Sequence, residues 1–276
     1  MNWRAKGWLW VVAFVALGVG LAPGARDAAA EPGGADGPAA AAFETPQLLY
    51  FPVNSIGVDI SWPQCKTGER PAGPLNFAII GVNGGKMYTK NDCLGDMWRW
   101  AMNARAVPQV YINTNGMPDG YKNAACDPKD TPCNAYQYGY EGAAMAVAYA
   151  TQQGVSPRQW WLDVETGNFW TPDLFLNERV LRGAVEYLQD TGRALGIYST
   201  PYQFGRIAGA YKPGLPVWTA GAADLAEART RCTDKYAFGG GAVRLVQYVS
   251  EHFDTSYVCP GGIELRSIVP GLSVSN

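Results

Sequence analysis

The sequence predicts an α/β fold: a TIM-like (β/α) barrel forming a single domain with disulfides. Two patterns carry that expectation. Short apolar runs recur along the chain, continuous rather than alternating, as in strands buried on both faces of a parallel sheet. Helical patterns stand between them, and strand–helix alternation over about 225 residues suits one barrel domain. A doubly wound open sheet is the main rival.

The chain starts differently. Arg4 and Lys6 precede the apolar run "GWLWVVAFVALGVGLA", and "ARDAAA" follows. A basic start, an apolar middle and an Ala-x-Ala end predict a secretory signal peptide over residues 1–30. An uncleaved membrane anchor is the alternative, although the run is short for a span. Residues 31–45, "EPGGADGPAAAAFET", offer little to bury and read as a flexible linker. The barrel domain is assigned to 46–276.

Seven runs then have strand character: Ser55–Ile60, Phe77–Val82, Pro108–Asn113, Trp160–Val164, Ala194–Ser199, Pro216–Ala220 and Val243–Val249. Helices are expected over Asp92–Arg105, Tyr136–Gln153 and Thr171–Asp190. In the last, Thr171 would cap, Pro172 would take the first helical position, and Gly192 would follow the end. Leu181, Ala184, Val185 and Leu188 make its apolar stripe.

Composition narrows the function. The chain is 47% hydrophobic and 17% charged, with a formal net charge of −2. No Lys/Arg cluster appears, so nucleic acid is not an expected partner. Nothing implies a cofactor: there is no nucleotide-binding loop. The single His252 gives little support for a Ser-His-Asp set or a zinc site. Cys65, Cys93, Cys126, Cys133, Cys232 and Cys259 form an even set, which in an oxidising compartment predicts three disulfides. Many pairings are open; the expected ones join neighbours in sequence, 65–93, 126–133 and 232–259.

In a parallel barrel the working groups stand at the C-terminal ends of strands. Polar residues gather there: Asp59, Asn83, Asn113 with Asn115, Asp163 with Glu165, Tyr198, and Gln247 with Tyr248. The stretch "WWLDVETGNFW", Trp160–Trp170, is the most informative. On an extended segment, residues two apart share a face, so Asp163 and Glu165 project together, about 6.6 Å apart along the backbone. Like charges this close in a partly apolar pocket push their pKa values apart. A protonated carboxyl beside an ionised one is the equipment for cleaving a glycosidic bond. An ordinary solvated or salt-bridged pair, or a cation site, would share the pattern. Trp160, Trp161, Phe169 and Trp170 flank the acids. Trp98 and Trp100 are expected to be core or helix-packing residues; Trp62 and Trp218, near strand ends, are the candidates for lining a groove.

Several motifs in order resemble glycoside hydrolase family 25, the lysozyme-type muramidases. "GVDIS" with Gln64 is similar to that family's opening strand, "FAIIGVNGG" to its second, "WLDVE" to its Leu-Asp-x-Glu strand, "LGIYSTPYQF" to its fifth. "LPVWTAGA" and "LVQYVSEHFDTSYV" are similar to its last strands. The resemblance implies a β/α barrel with a groove for peptidoglycan, and hydrolysis of the β-1,4 bond between N-acetylmuramic acid and N-acetylglucosamine. Glu165 would be the general acid, Asp163 its assistant, and Asp59 and Asp254 the other acidic members. Gln247, Tyr198 and Trp218 would be groove residues; Trp62 and Asn113 are further candidates for substrate contact. His252, two residues before Asp254, could modulate its charge or be a loop residue. "VYINTNG" and "GVNGG" depart from the family's usual third and second strand ends, and both changes fall at the mouth. The expected protein is therefore an exported glycoside hydrolase, secreted or in the cell wall, acting as a monomer on peptidoglycan or a related N-acetylated glycan. The alternative is a non-catalytic glycan-binding or envelope protein on the same barrel.

Overall fold

The computed structural model describes residues 47–48, 50–250 and 253–262. The signal peptide and the whole linker expected from the sequence, and His252, lie outside them. Eight strands close a barrel in sequence order: β1 (Ile56–Ile60), β2 (Ala78–Gly81), β3 (Gln109–Asn113), β4 (Gln159–Asp163), β5 (Ala194–Ser199), β6 (Val217–Ala222), β7 (Val243–Ser250) and β8 (Phe253–Val258). The helices are α1 (Trp62–Thr67), α2 (Leu94–Ala101), α3 (Thr131–Gln152), α4 (Leu174–Asp190), α5 (Pro201–Ala208) and α6 (Leu225–Thr230). The closed barrel excludes the open sheet.

One departure from a fully parallel barrel shapes the site. β1 to β7 run parallel, but β8 pairs antiparallel with both β7 and β1. Only two residues separate β7 from β8, too few for the helical crossover that a parallel return needs. The start of β8 therefore lies at the rim where the other strands end.

Residues alternate between two cores. Outward-facing Val58, Ile80, Val110, Ile112, Trp160, Leu162, Ile197, Val217 and Val246 pack into the shell beneath the helices. Inward-facing Phe77, Ile79, Trp161, Tyr198, Trp218, Leu245 and Val258 fill the barrel. Two glycines make that filling possible. A Cβ on Gly196 would lie 2.2 Å from the Trp161 ring, and one on Gly81 would lie 2.5 Å from the Ser61 Cβ.

Helix starts follow their caps. α4 begins at Leu174, capped by the Asp173 carboxylate, which accepts from the Phe175 and Leu176 N–H groups. Thr171 is not the cap: its hydroxyl accepts from the Asp173 N–H and so orients the carboxylate that does the capping. α3 starts earlier than its apolar pattern, at Thr131, because Asp130 accepts from the Cys133 N–H and Pro132 suits the first turn. α2 is shorter than expected, ending at Ala101. Disulfides join Cys65–Cys93, Cys126–Cys133 and Cys232–Cys259. Among the described residues, no helix is long and apolar enough to cross a membrane.

Candidate functional site

The rim at the C-terminal ends of β1 to β7 gathers four acids. Asp59 sits near the end of β1 and faces Asp254 directly across the antiparallel β1–β8 pair. Residues so paired share a sheet face, so both carboxyls belong to the barrel mouth. Asp163 ends β4, and Glu165 follows two residues on, with buried Val164 between them turned toward the helices. Asp59 and Asp163 are 7% and 5% exposed; Glu165 is half-buried and Asp254 open at the edge. The set thus grades from floor to solvent.

Their electrostatics reflect that placement. All four carboxyls are pushed above the ordinary range, first by loss of hydration. Like charge adds to this: Asp254 and Glu165 act on Asp59, Glu165 and Asp59 on Asp163, and Asp254 on Glu165. Among the described residues no ion pair offsets them. Among the described residues the ion pairs are Arg99–Asp96, Arg182–Glu178 and Arg231–Glu227, each within a helix or at its end, and none reaches the mouth.

Neutral donors hold the acids instead. The Gln247 amide donates to both Asp59 oxygens at 3.1 and 3.2 Å, while its own oxygen accepts from the Tyr198 hydroxyl at 2.7 Å. That chain of bonds fixes the amide's orientation. The Asn113 amide donates to Asp163 Oδ2. Asn83 supports Asn113 by bonding both its backbone groups, at 2.9 and 3.1 Å. Asp163 Oδ1 and Asn113 Oδ1 are buried with no hydrogen-bond partner among the described residues. Buried acceptors of this kind carry a desolvation cost unless a donor reaches them.

The aromatic expectations divide. Trp62 opens α1 and is 37% exposed; its indole lies against Gly85, whose φ of +94° favours a residue without a Cβ. Phe169 is exposed and Trp170 partly so; the Trp170 indole N–H donates to the Glu165 carbonyl at 2.8 Å. Trp218 is corrected. It is 1% exposed, packed edge-to-face against Tyr198 and Trp161, with its indole N–H on the Ser256 hydroxyl. It fills the barrel below the floor, and no ring face remains for a sugar. Trp160 and Trp161 are likewise core, on opposite faces of β4. Trp98 is buried and Trp100 packs against the same core, as expected. Tyr198 and Gln247 are buried parts of the floor rather than an open wall.

Two neighbours of the acids were not singled out by the sequence. Tyr111 points into the barrel near Asp59 and Asp163, and loss of hydration followed by the Asp59 charge pushes its hydroxyl up. Its parity with Asn113 on β3 was the available signal. Gln203, in the first turn of α5, reaches Glu165, and nothing in its local sequence marks it.

Residues 130–244 match the family described as Lysozyme-like protein 1, a span of less than half the chain. No curated protein matches the chain in sequence. Several solved structures are similar in fold, three of them as follows. A family 25 lysozyme from Aspergillus fumigatus is 15% identical, with 75% of this chain and 94% of that one covered, at a TM-score of 0.46. A family 25 glycosyl hydrolase from Bacillus anthracis is 13% identical, covering 75% and 89%, at 0.47. The virulence factor GHIP, a glycosyl hydrolase 25 of Streptococcus pneumoniae, is 14% identical, covering 75% and 88%, at 0.49. The chain is a closed α/β barrel with lysozyme-like sequence over residues 130–244.

Proposed function

We propose that this protein is an exported glycoside hydrolase that cleaves β-1,4 bonds of peptidoglycan or a related N-acetylated glycan. The observation that carries the reading is the meeting of Asp59, Asp163, Glu165 and Asp254 at one mouth, with no ion-pair partner for them among the described residues. Burial and like charge favour the protonated form of each acid in such a cluster. Glu165, half-buried and raised, is placed to give its proton to the leaving glycosidic oxygen. Asp163, two residues away on the same face, stabilises the positive charge that grows on the sugar ring or orients the 2-acetamido group. Asp59 is fixed by Gln247 and Tyr198, and Asp254 closes the other side. Trp62 and Asn113 are the candidates for holding sugar units; an indole face suits the apolar face of a pyranose. Three disulfides suit an oxidising, extracellular setting, and the basic–apolar–Ala-x-Ala start supplies the export signal.

The test is release of reducing ends from purified cell walls by wild type and by Glu165→Gln. The expected result is release by wild type and a loss of at least about a hundredfold in the variant, the typical worth of a general acid. Equal release by both, or none by either across several N-acetylated glycans, sinks the enzymatic reading.

A further inference from the structure

We propose that Gln203 is a positioning residue for Glu165: its amide, locked by Thr166, holds the Glu165 carboxyl and stabilises the anion left when that proton departs. The inference rests on the hydrolase reading of the site.

The geometry fixes which end of the amide faces the acid. Gln203 Oε1 accepts two bonds, from the Thr166 backbone N–H at 2.7 Å and from the Thr166 hydroxyl at 2.9 Å. A side-chain amide has one oxygen, so both donors must meet it there. A flipped amide would set its NH2 against the Thr166 N–H, donor against donor. The NH2 group is therefore directed at Glu165 Oε1, 3.5 Å away. That distance is the long limit of a hydrogen bond, the range from which contacts to a reacting acid tighten once substrate is bound. The backbone on both sides is also held. Thr200 caps α5 by accepting from the Gln203 N–H at 3.1 Å, and Trp170 holds the Glu165 carbonyl.

A neutral N–H donor favours the ionised carboxylate, and here it opposes what burial and Asp254 do to the same group. Among the described residues, the other charged or titratable groups that bear on Glu165 are Asp163 on β4, Asp59 on β1 and Tyr198 on β5. None can donate as a cation. Gln203 is thus the one side chain with a hydrogen bond to the Glu165 carboxyl among the described residues. During proton donation the acid becomes an anion beside other acids. A fixed donor already aimed at it stabilises the state that forms, which is where such a contact raises rate.

The test pairs kinetics with a direct titration. Carbon-13 NMR of labelled carboxyls follows Glu165, its signal assigned by its absence in Glu165→Gln. Gln203→Leu keeps size and removes the amide. The expected result is that Glu165 titrates at higher pH in the variant and the alkaline limb of hydrolysis moves the same way. kcat falls about tenfold, the worth of one hydrogen bond, with KM little changed. Thr166→Val, which keeps the N–H but loses the hydroxyl, moves both in the same direction by less. An unchanged Glu165 titration in Gln203→Leu overturns the proposal, even where Glu165→Gln is inactive and the hydrolase reading holds. Raised titration in a protein that cleaves no glycan upholds the grip of Gln203 on Glu165 and retires the hydrolysis instead.

Discussion

Replacing Asp163 with asparagine should stabilise the folded protein at pH 8, although it removes a group assigned to the reaction. Asp163 is 5% exposed, and its Oδ1 has no partner among the described residues. Its ionised form is opposed by lost hydration and by the nearby Glu165 and Asp59. With the strand's backbone spacing of about 6.6 Å taken as the scale of their separation, two full charges in an effective dielectric of about 20 repel by about 2.5 kcal/mol. Burial and like charge favour the protonated form of both groups, and Glu165 is partly solvated, so the expected gain is smaller, about 1–2 kcal/mol. For a domain of this size that raises Tm by about 2–8 °C. Asparagine keeps an oxygen for the Asn113 donor and removes the charge. The sign with pH follows from the raised folded value. Below the unfolded range of Asp, near pH 4, both states hold the proton and the wild type loses nothing. As pH climbs through that range the unfolded chain releases its proton while the fold retains it, and stability falls until the folded value is passed. The variant's advantage should therefore be absent near pH 3 and grow toward pH 8. Urea melts of both proteins at several pH values measure it. A variant less stable than wild type at pH 8, or a difference independent of pH, would refute the idea that uncompensated burial governs this mouth.

Other outcomes follow from packing and covalent constraint. Gly139→Ala on α3 should destabilise by about 1–3 kcal/mol in urea, because the added Cβ would lie 1.8 Å from the Val180 carbonyl of α4; an unchanged midpoint would mean the helices separate freely. Removing the Cys232–Cys259 bridge as a double serine variant should lower stability by about 3–4 kcal/mol, from the 27-residue separation it closes. Thermal melts under oxidising conditions read that loss, and matched Tm values would show that the barrel closure alone holds β8.

The D-x-E pairing was legible because its logic is local: a strand's two-residue period puts Asp163 and Glu165 on one face wherever the strand goes. The seven parallel strands were legible for a similar reason, since burial on both faces writes a continuous apolar run. The eighth was not read as a strand, because Phe253–Val258 mixes polar and apolar residues. Depth inside the barrel was not legible either. Parity shows that Trp218 points inward, but its burial comes from the Tyr198 and Trp161 rings packed against it. Those contacts help leave the indole 1% exposed, where sequence proximity to a strand end had suggested an open wall.

By itself, then, the sequence determined the strand runs, the even cysteine set and the shared face of Asp163 and Glu165. Each of these depends on neighbours a few residues apart. Only the tertiary structure decided that β8 turns back, that Asp254 thereby meets Asp59 across the seam, and that Gln203 leans on Glu165. Those contacts join residues far apart in the chain, and closing the barrel is the step that sets their distances.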